Sequence, residues 1–308
     1  MPLHPKAKAF VDSFERNFSI DFKTIDAVSF RALFDIPVRT PVHKAEVGIW
    51  SRAIDGPAGP LRLRIYTPAT IGPWPITLYF FGGGFTIGKP EQSDVICCGI
   101  AKHANSLVVS VDYRLAPEAK FPAATEDAKA ALLWIRDYAE KLGGDCARIA
   151  VAGDSSGGNL AAMLAQYARS QKINLAHQLL LYPALDASGS SCSYQDMATE
   201  YGFTADWMRW YWRQYLPNLE ARSDVRASPM VETNLAGLAS ATIFTAEFDI
   251  LRDEAELYAG RLKAANIPVE LKRWPGQIHG FMLMQDLFED AERAIQAGAA
   301  ALREAFSN

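Results

Sequence analysis

The hexapeptide Gly153-Asp154-Ser155-Ser156-Gly157-Gly158 places a serine between glycines two residues away on either side. It follows the apolar run Arg148–Ala152 and leads into the small-residue stretch Asn159–Ala165. This reads as a short buried strand, a tight turn and a helix. G-x-S-x-G in that setting is a nucleophile elbow, with the serine held at a strained backbone angle above a sheet. Ser155 alone fits the frame, because Ser156 would need glycine at position 154 and finds Asp154. Without its flanks the same peptide would be a plain serine- and glycine-rich loop. A serine hydroxyl is a weak nucleophile near neutral pH. The rest of the chain must supply a base, an acid to orient the base, and donors for an oxyanion.

The chain has five histidines. His4, His43, His103 and His177 fall in a terminus, a segment before a strand, or helix ends, and read as surface or packing residues. His279 lies in Trp274–Phe281, a loop after a late strand, where catalytic groups of parallel sheets collect. It is the expected base. The acid is sought in Thr245–Glu254, and Asp249, just past a strand end, is the expected choice. Asp253 and Glu254 are expected to cap and charge the next helix, and Glu247 to stand behind the site. For the oxyanion, Gly82-Gly83-Gly84 follows an apolar strand and can present backbone N–H groups, with the N–H of Ser156 as a further donor. The order Ser155, Asp249, His279 differs from both serine-protease orders.

These residues need a scaffold, and the chain alternates regularly enough to supply one. Helices are expected near 5–18 (with Ala9, Phe10, Phe14 and Phe18 on one face) and near 27–34. Strands at 45–51 and 61–66, joined by the turn-forming Asp55–Pro60, suggest an antiparallel start to the sheet. The apolar run Pro75–Phe81 reads as a buried central strand. Helices near 93–104 and 123–141 flank the strand Leu107–Val111, and the elbow helix runs to about Ser170. Strands Gln178–Tyr182, Ala241–Ala246 and Val269–Trp274 follow, with helices near 253–265 and 285–306. Such alternation implies a mostly parallel sheet of about eight strands flanked by helices.

Residues 186–238 break the rhythm. They hold an aromatic helix in which Trp207, Trp210, Tyr211 and Tyr215 could share a face. Packing onto the domain explains each aromatic as well as substrate contact does, yet the insertion makes a natural lid for an apolar acyl group. The expected layout is a catalytic domain at 46–185 and 239–308, with a helical cap from 1–45 and 186–238. Phe85, Trp207 and Tyr211 are the candidate substrate contacts.

About half of the residues are apolar and the net charge is −4, which gives no reason to expect a nucleic acid or an anionic membrane. The four cysteines, Cys97, Cys98, Cys146 and Cys192, show no zinc spacing and read as reduced buried thiols. The first residues lack the apolar core of a signal peptide, and no stretch is long enough to span a bilayer. A cytoplasmic, soluble protein is expected, and a homodimer is compatible with it.

The chain resembles the hormone-sensitive-lipase-like branch of the α/β hydrolases, the bacterial carboxylesterases and acetyl esterases. The elbow, Val111–Glu118, Phe121–Asp127, Ser228-Pro229-Met230, the Asp249 segment and His279-Gly280-Phe281 carry the likeness. It implies the α/β-hydrolase fold with a two-part helical cap, a triad of Ser155, Asp249 and His279, and an oxyanion hole from Gly82, Gly83, Gly84 and Ser156. It also implies cofactor-free hydrolysis of short to medium acyl esters. Asp112-Tyr113-Arg114 reads as turn architecture. Three positions depart from the family pattern: Phe81 replaces a histidine, Ile250 a proline and Ser156 an alanine. Phenylalanine can only pack, so stacking on Phe80 or Phe85 is expected to hold the glycine loop. The same triad also serves amidases and lactonases, and related plant receptors on this fold have lost the histidine that this chain keeps. The aromatic insertion should crowd the pocket and favour short acyl chains.

Overall fold

The computed structural model describes residues 2–17, 20–34 and 39–307. Phe18, assigned to the aromatic face of the first helix, lies outside them. Among the described residues eight strands form one sheet: β1 (Val47–Gly56), β2 (Gly59–Pro68), β3 (Trp74–Phe80), β4 (Leu107–Val111), β5 (Gly144–Asp154), β6 (His177–Leu181), β7 (Ala241–Phe248) and β8 (Val269–Ile278). Their order is β1-β2-β4-β3-β5-β6-β7-β8. β2 runs antiparallel to β1 and β4, and every later pairing is parallel. β4 and β6 are buried at every residue and β3 at all but its first, as continuous apolar runs require. Edge strand β8 alternates and exposes Lys272 and Arg273.

The helices are α1 (Pro5–Asn17), α2 (Ala27–Leu33), α3 (Asp94–Ala104), α4 (Ala123–Tyr138), α5 (Ser156–Ser170), the single turn α6 (Ser193–Asp196), α7 (Ala205–Tyr215), α8 (Arg252–Ala264) and α9 (Glu289–Ala305). Among the boundaries that differ from the sequence reading, three stand out. The β1–β2 register runs out to Gly56 opposite Gly59, so the turn is only Pro57-Ala58. β8 continues to Ile278, which puts His279 directly at a strand end. α9 begins at Glu289 rather than near 285, because Phe281, Met282 and Phe288 are buried by a short 3-10 turn and a loop.

The insertion divides its allegiance. α7 packs on α1 and α2: Trp207 stacks on Phe14 at 5.8 Å, Trp210 meets Phe30 at 4.5 Å, and the Trp210 indole donates to the Ile25 carbonyl at 3.1 Å. The stretch after it is fastened to the sheet layer instead. Asn159 donates to the carbonyl of Ala227 (2.8 Å) and Gln166 to that of Pro229 (2.9 Å). Glu254 and Asp253 do not cap α8. Glu254 accepts the N–H groups of Leu185 (2.5 Å) and Asp186 (3.2 Å), and Asp253 that of Ser193 (2.9 Å). They anchor the start of the insertion, where the backbone leaves β6 with unpaired donors. All four cysteines are free thiols; Cys97 and Cys98 are buried, but Cys146 is half-buried and Cys192 exposed, contrary to expectation. Among the described residues no helix is long and apolar enough to cross a membrane.

Candidate active site

β5 delivers Ser155 at φ 55°, ψ −119°, a backbone region that costs a non-glycine residue about 1–3 kcal/mol. The turn is tight enough that a Cβ on Gly157 would lie 1.9 Å from the Phe80 carbonyl oxygen. Ser155 donates its own N–H to Leu181 at the end of β6 (2.9 Å), so its hydroxyl points out of the turn over the strand ends.

That hydroxyl oxygen lies 2.9 Å from Nε2 of His279, whose Nδ1 lies 2.7 Å from Asp249 Oδ2. The Asp249 carboxylate is fully buried, and its Oδ1 accepts the Leu251 N–H at 2.9 Å. A carboxylate only accepts, so in the neutral imidazole the proton sits on Nδ1 and Nε2 is free to accept from the serine. Phe203 stacks on the imidazole at 4.4 Å, and Tyr182 meets it edge-on at 5.0 Å. Glu247 accepts the Gly276 N–H at 2.7 Å and so holds the β8 backbone shortly before His279.

The glycine loop faces the serine across the end of β3. Gly83 and Gly84 have positive φ, and the N–H groups of Gly83, Gly84 and Ser156 have no hydrogen-bond partner among the described residues. Gly82 behaves differently and is removed from the donor set: its N–H is given to Asp154 Oδ1 at 3.0 Å. The same oxygen accepts the Tyr79 hydroxyl at 2.6 Å. Burial pushes the Asp154 carboxyl above the usual carboxylate range, against the pull of those two hydrogen bonds. A Cβ on Gly84 would fall 2.1 Å from the Tyr211 ring, so the loop passes directly beneath α7.

Neither Phe80 nor Phe85 packs on Phe81. Its ring stacks on Tyr113 at 4.3 Å, and the Tyr113 hydroxyl donates to the Phe81 carbonyl at 2.7 Å. Tyr113 therefore holds the residue before the glycines by both ring and hydroxyl. Phe85 is also withdrawn as a substrate contact, since it is buried against Tyr215 (3.8 Å, stacked) and Trp212 (5.6 Å). Trp207 and Tyr211 do line the cleft above Ser155 and His279, together with Phe14 and Phe34. The cleft holds about 330 Å³ and is walled mainly by apolar side chains, near the lower end for small-molecule sites.

Asp154, Tyr79, Tyr113 and Phe203 are the site residues that sequence reasoning passed over. Asp154 and Tyr113 left a signal, the first inside the elbow peptide and the second inside the Val111–Glu118 stretch read as turn architecture. The His43, His103 and Glu292 cluster, which could hold a metal ion, shares no residue with the cleft.

A family model described as the alpha/beta hydrolase fold matches residues 77–283. The esterase LipI of Mycobacterium tuberculosis is 40% identical over 302 residues, covering 91% of this chain and 92% of that protein. The carboxylesterase NlhH of the same species is 36% identical over 315 residues, covering 98% and 96%. Among solved structures, a hyperthermophilic esterase from Pyrobaculum calidifontis superposes with a TM-score of 0.91 at 37% identity, over 99% of both chains. The chain belongs to the α/β-hydrolase family and, within it, to the carboxylic ester hydrolases.

Proposed function

We propose that the protein hydrolyses esters of short to medium carboxylic acids through an acyl-enzyme on Ser155. The observation that carries this is the hydrogen-bonded line from Ser155 Oγ through His279 to Asp249, at 2.9 and 2.7 Å. His279 Nε2 takes the serine proton as Oγ attacks the ester carbonyl. Negative charge collects on the carbonyl oxygen beside the free N–H groups of Gly83, Gly84 and Ser156, at the positive end of α5. The Asp249 carboxylate holds the imidazolium in place. Collapse expels the alcohol with the proton from Nε2, and water, deprotonated by the same nitrogen, releases the acid. The base must be neutral, so turnover falls in acid.

The cap reading of 1–45 and 186–238 is supported by the packing of α1 and α2 on α7, whose Trp207 and Tyr211 roof the cleft. The fastening of Ala227 and Pro229 to α5 favours ending the mobile part of the cap before Ala227. Cytoplasmic residence rests on the sequence alone. A panel of p-nitrophenyl esters of increasing acyl length, run beside matched amides, tests the proposal. Turnover is expected to peak at short acyl chains, and fluorophosphonate labelling to vanish in Ser155→Ala. A maximum at long chains, or faster turnover of the amides, overturns it.

A further inference from the structure

We propose that His43, His103 and Glu292 form a binding site for one divalent transition-metal ion, zinc in preference to magnesium or calcium. Three donor atoms converge there: His43 Nε2 and His103 Nε2 lie 3.2 Å apart, and Glu292 Oε1 lies 3.0 and 3.1 Å from them. An ion held at about 2.0–2.1 Å by nitrogen and oxygen donors sets neighbouring donors roughly 3.0–3.4 Å apart. The triangle has those edges on all three sides.

Hydrogen bonding alone does not account for it. Each Nε2 is either a donor or an acceptor. If both donate to Glu292, two N–H groups face each other at 3.2 Å. If one accepts from the other, its lone pair faces the carboxylate. Oε1 also accepts from Gln296 at 2.9 Å, so three nitrogens compete for its two lone pairs. A cation resolves both conflicts, because two imidazole lone pairs and one carboxylate lone pair then point at it, and Gln296 keeps the other. Two imidazoles and a carboxylate suit zinc and its transition-metal neighbours, whereas magnesium and calcium favour oxygen.

The surroundings include an outer layer of the kind metal sites carry. Gln285 holds Glu292 Oε2 at 2.7 Å, and Glu46 Oε1 lies 3.3 Å from His43 Nδ1, where it can accept that N–H once Nε2 is bound to metal. Lys102 is the charge opposed to a cation. Its ammonium lies 3.1 Å from His43 Nδ1 and 2.7 Å from Glu46, and it keeps the second contact when it gives up the first. The donors come from the segment leading into β1, the end of α3 and the start of α9. One ion would therefore clamp the chain's approach to the sheet onto the α3–α9 layer, closing a loop of 249 residues between His43 and Glu292.

The test uses the full chain, stripped with chelator and with Ser155 phosphonylated so that substrate turnover plays no part in the readout. Zinc and cobalt(II) are titrated with calorimetry, cobalt absorption and melting. One ion per chain is expected, with a tetrahedral or five-coordinate cobalt spectrum. A hundredfold excess of zinc over its Kd should raise Tm by about 5 °C. His103→Gln and Glu292→Gln should each weaken binding at least about tenfold and so cut the Tm shift to about half or less, while His4→Gln leaves both unchanged. His103 and Glu292 are partly exposed, and the melting curves without metal show whether the variants fold. Failure to bind zinc at micromolar concentrations, or equal affinity in His103→Gln and the parent, overturns the proposal.

Discussion

Replacing Asp154 by alanine should slow turnover by about 10–100-fold with little change in KM. Its Oδ1 receives the Gly82 N–H at 3.0 Å and the Tyr79 hydroxyl at 2.6 Å, and among the described residues the Gly82 N–H has no other partner. Where the buried Asp154 carboxyl is ionised, the hydrogen bond it accepts is worth about 1.5–3 kcal/mol, and about 1.4 kcal/mol corresponds to a tenfold change in rate. If the strength of the Gly82 contact is what keeps Gly83 and Gly84 aimed, its loss gives the stated range. The loss of an entire oxyanion donor, about 10²–10³-fold, is the ceiling. Asp154→Asn keeps an acceptor at Oδ1 but gives up the charge and about half the strength of the bond, so about 3–10-fold is expected. The effect belongs in kcat if the loop supplies the proposed oxyanion donors, which hold the oxyanion more tightly than the ground-state carbonyl. Initial rates on a p-nitrophenyl ester, with near-ultraviolet circular dichroism to confirm folding, measure it. Affinity for a boronic acid that forms a tetrahedral adduct on Ser155 should fall in parallel. A folded alanine variant with kcat within about twofold of the parent, or with a change in KM alone, would refute the clamp.

Glu254 is buried, and burial raises its carboxyl well above the usual range, against two backbone hydrogen bonds. Since the folded pKa exceeds the unfolded one, wild-type stability should decline as pH rises from the unfolded value toward the folded one. Glu254→Gln should remove that decline, so the difference in Tm should widen with pH between mild acid and neutrality; parallel curves would contradict it. Trp207→Phe should enlarge the cleft and move the best p-nitrophenyl ester to a longer acyl chain, and an unmoved optimum would exclude Trp207 as a wall of the acyl site. Phe81→His should bring no large gain in kcat, because Tyr113 already holds the loop by stacking and by the Phe81 carbonyl; a gain above about tenfold would show the loop to be badly set.

The sheet was legible because buried parallel strands are written as apolar runs, and the elbow because glycine spacing reflects a backbone that few other residues can follow. His279 and Asp249 were legible as residue types at strand ends. Hydrogen-bond bookkeeping was not. Gly82 looks equivalent to Gly83 and Gly84 until Asp154 is seen to occupy its N–H. Phe85 follows the glycines yet turns into a slot between Trp212 and Tyr215, which no periodicity records. Asp253 and Glu254 match a helix-capping pattern, but the unpaired backbone donors that claim them lie some sixty to seventy residues away. His43 and His103 each look bland alone, and only the fold brings them to Glu292.

The backbone angle at Ser155 has a consequence for how this enzyme can be improved. A glycine at that position would adopt φ 55°, ψ −119° with far less strain. Ser155→Gly, which removes the proposed nucleophile, should therefore melt a few degrees above the parent. Selection for heat resistance alone would drift toward such dead sequences. A screen that couples survival of heating to residual turnover would instead direct gains to the α5 and β6 packing that forces the serine into place.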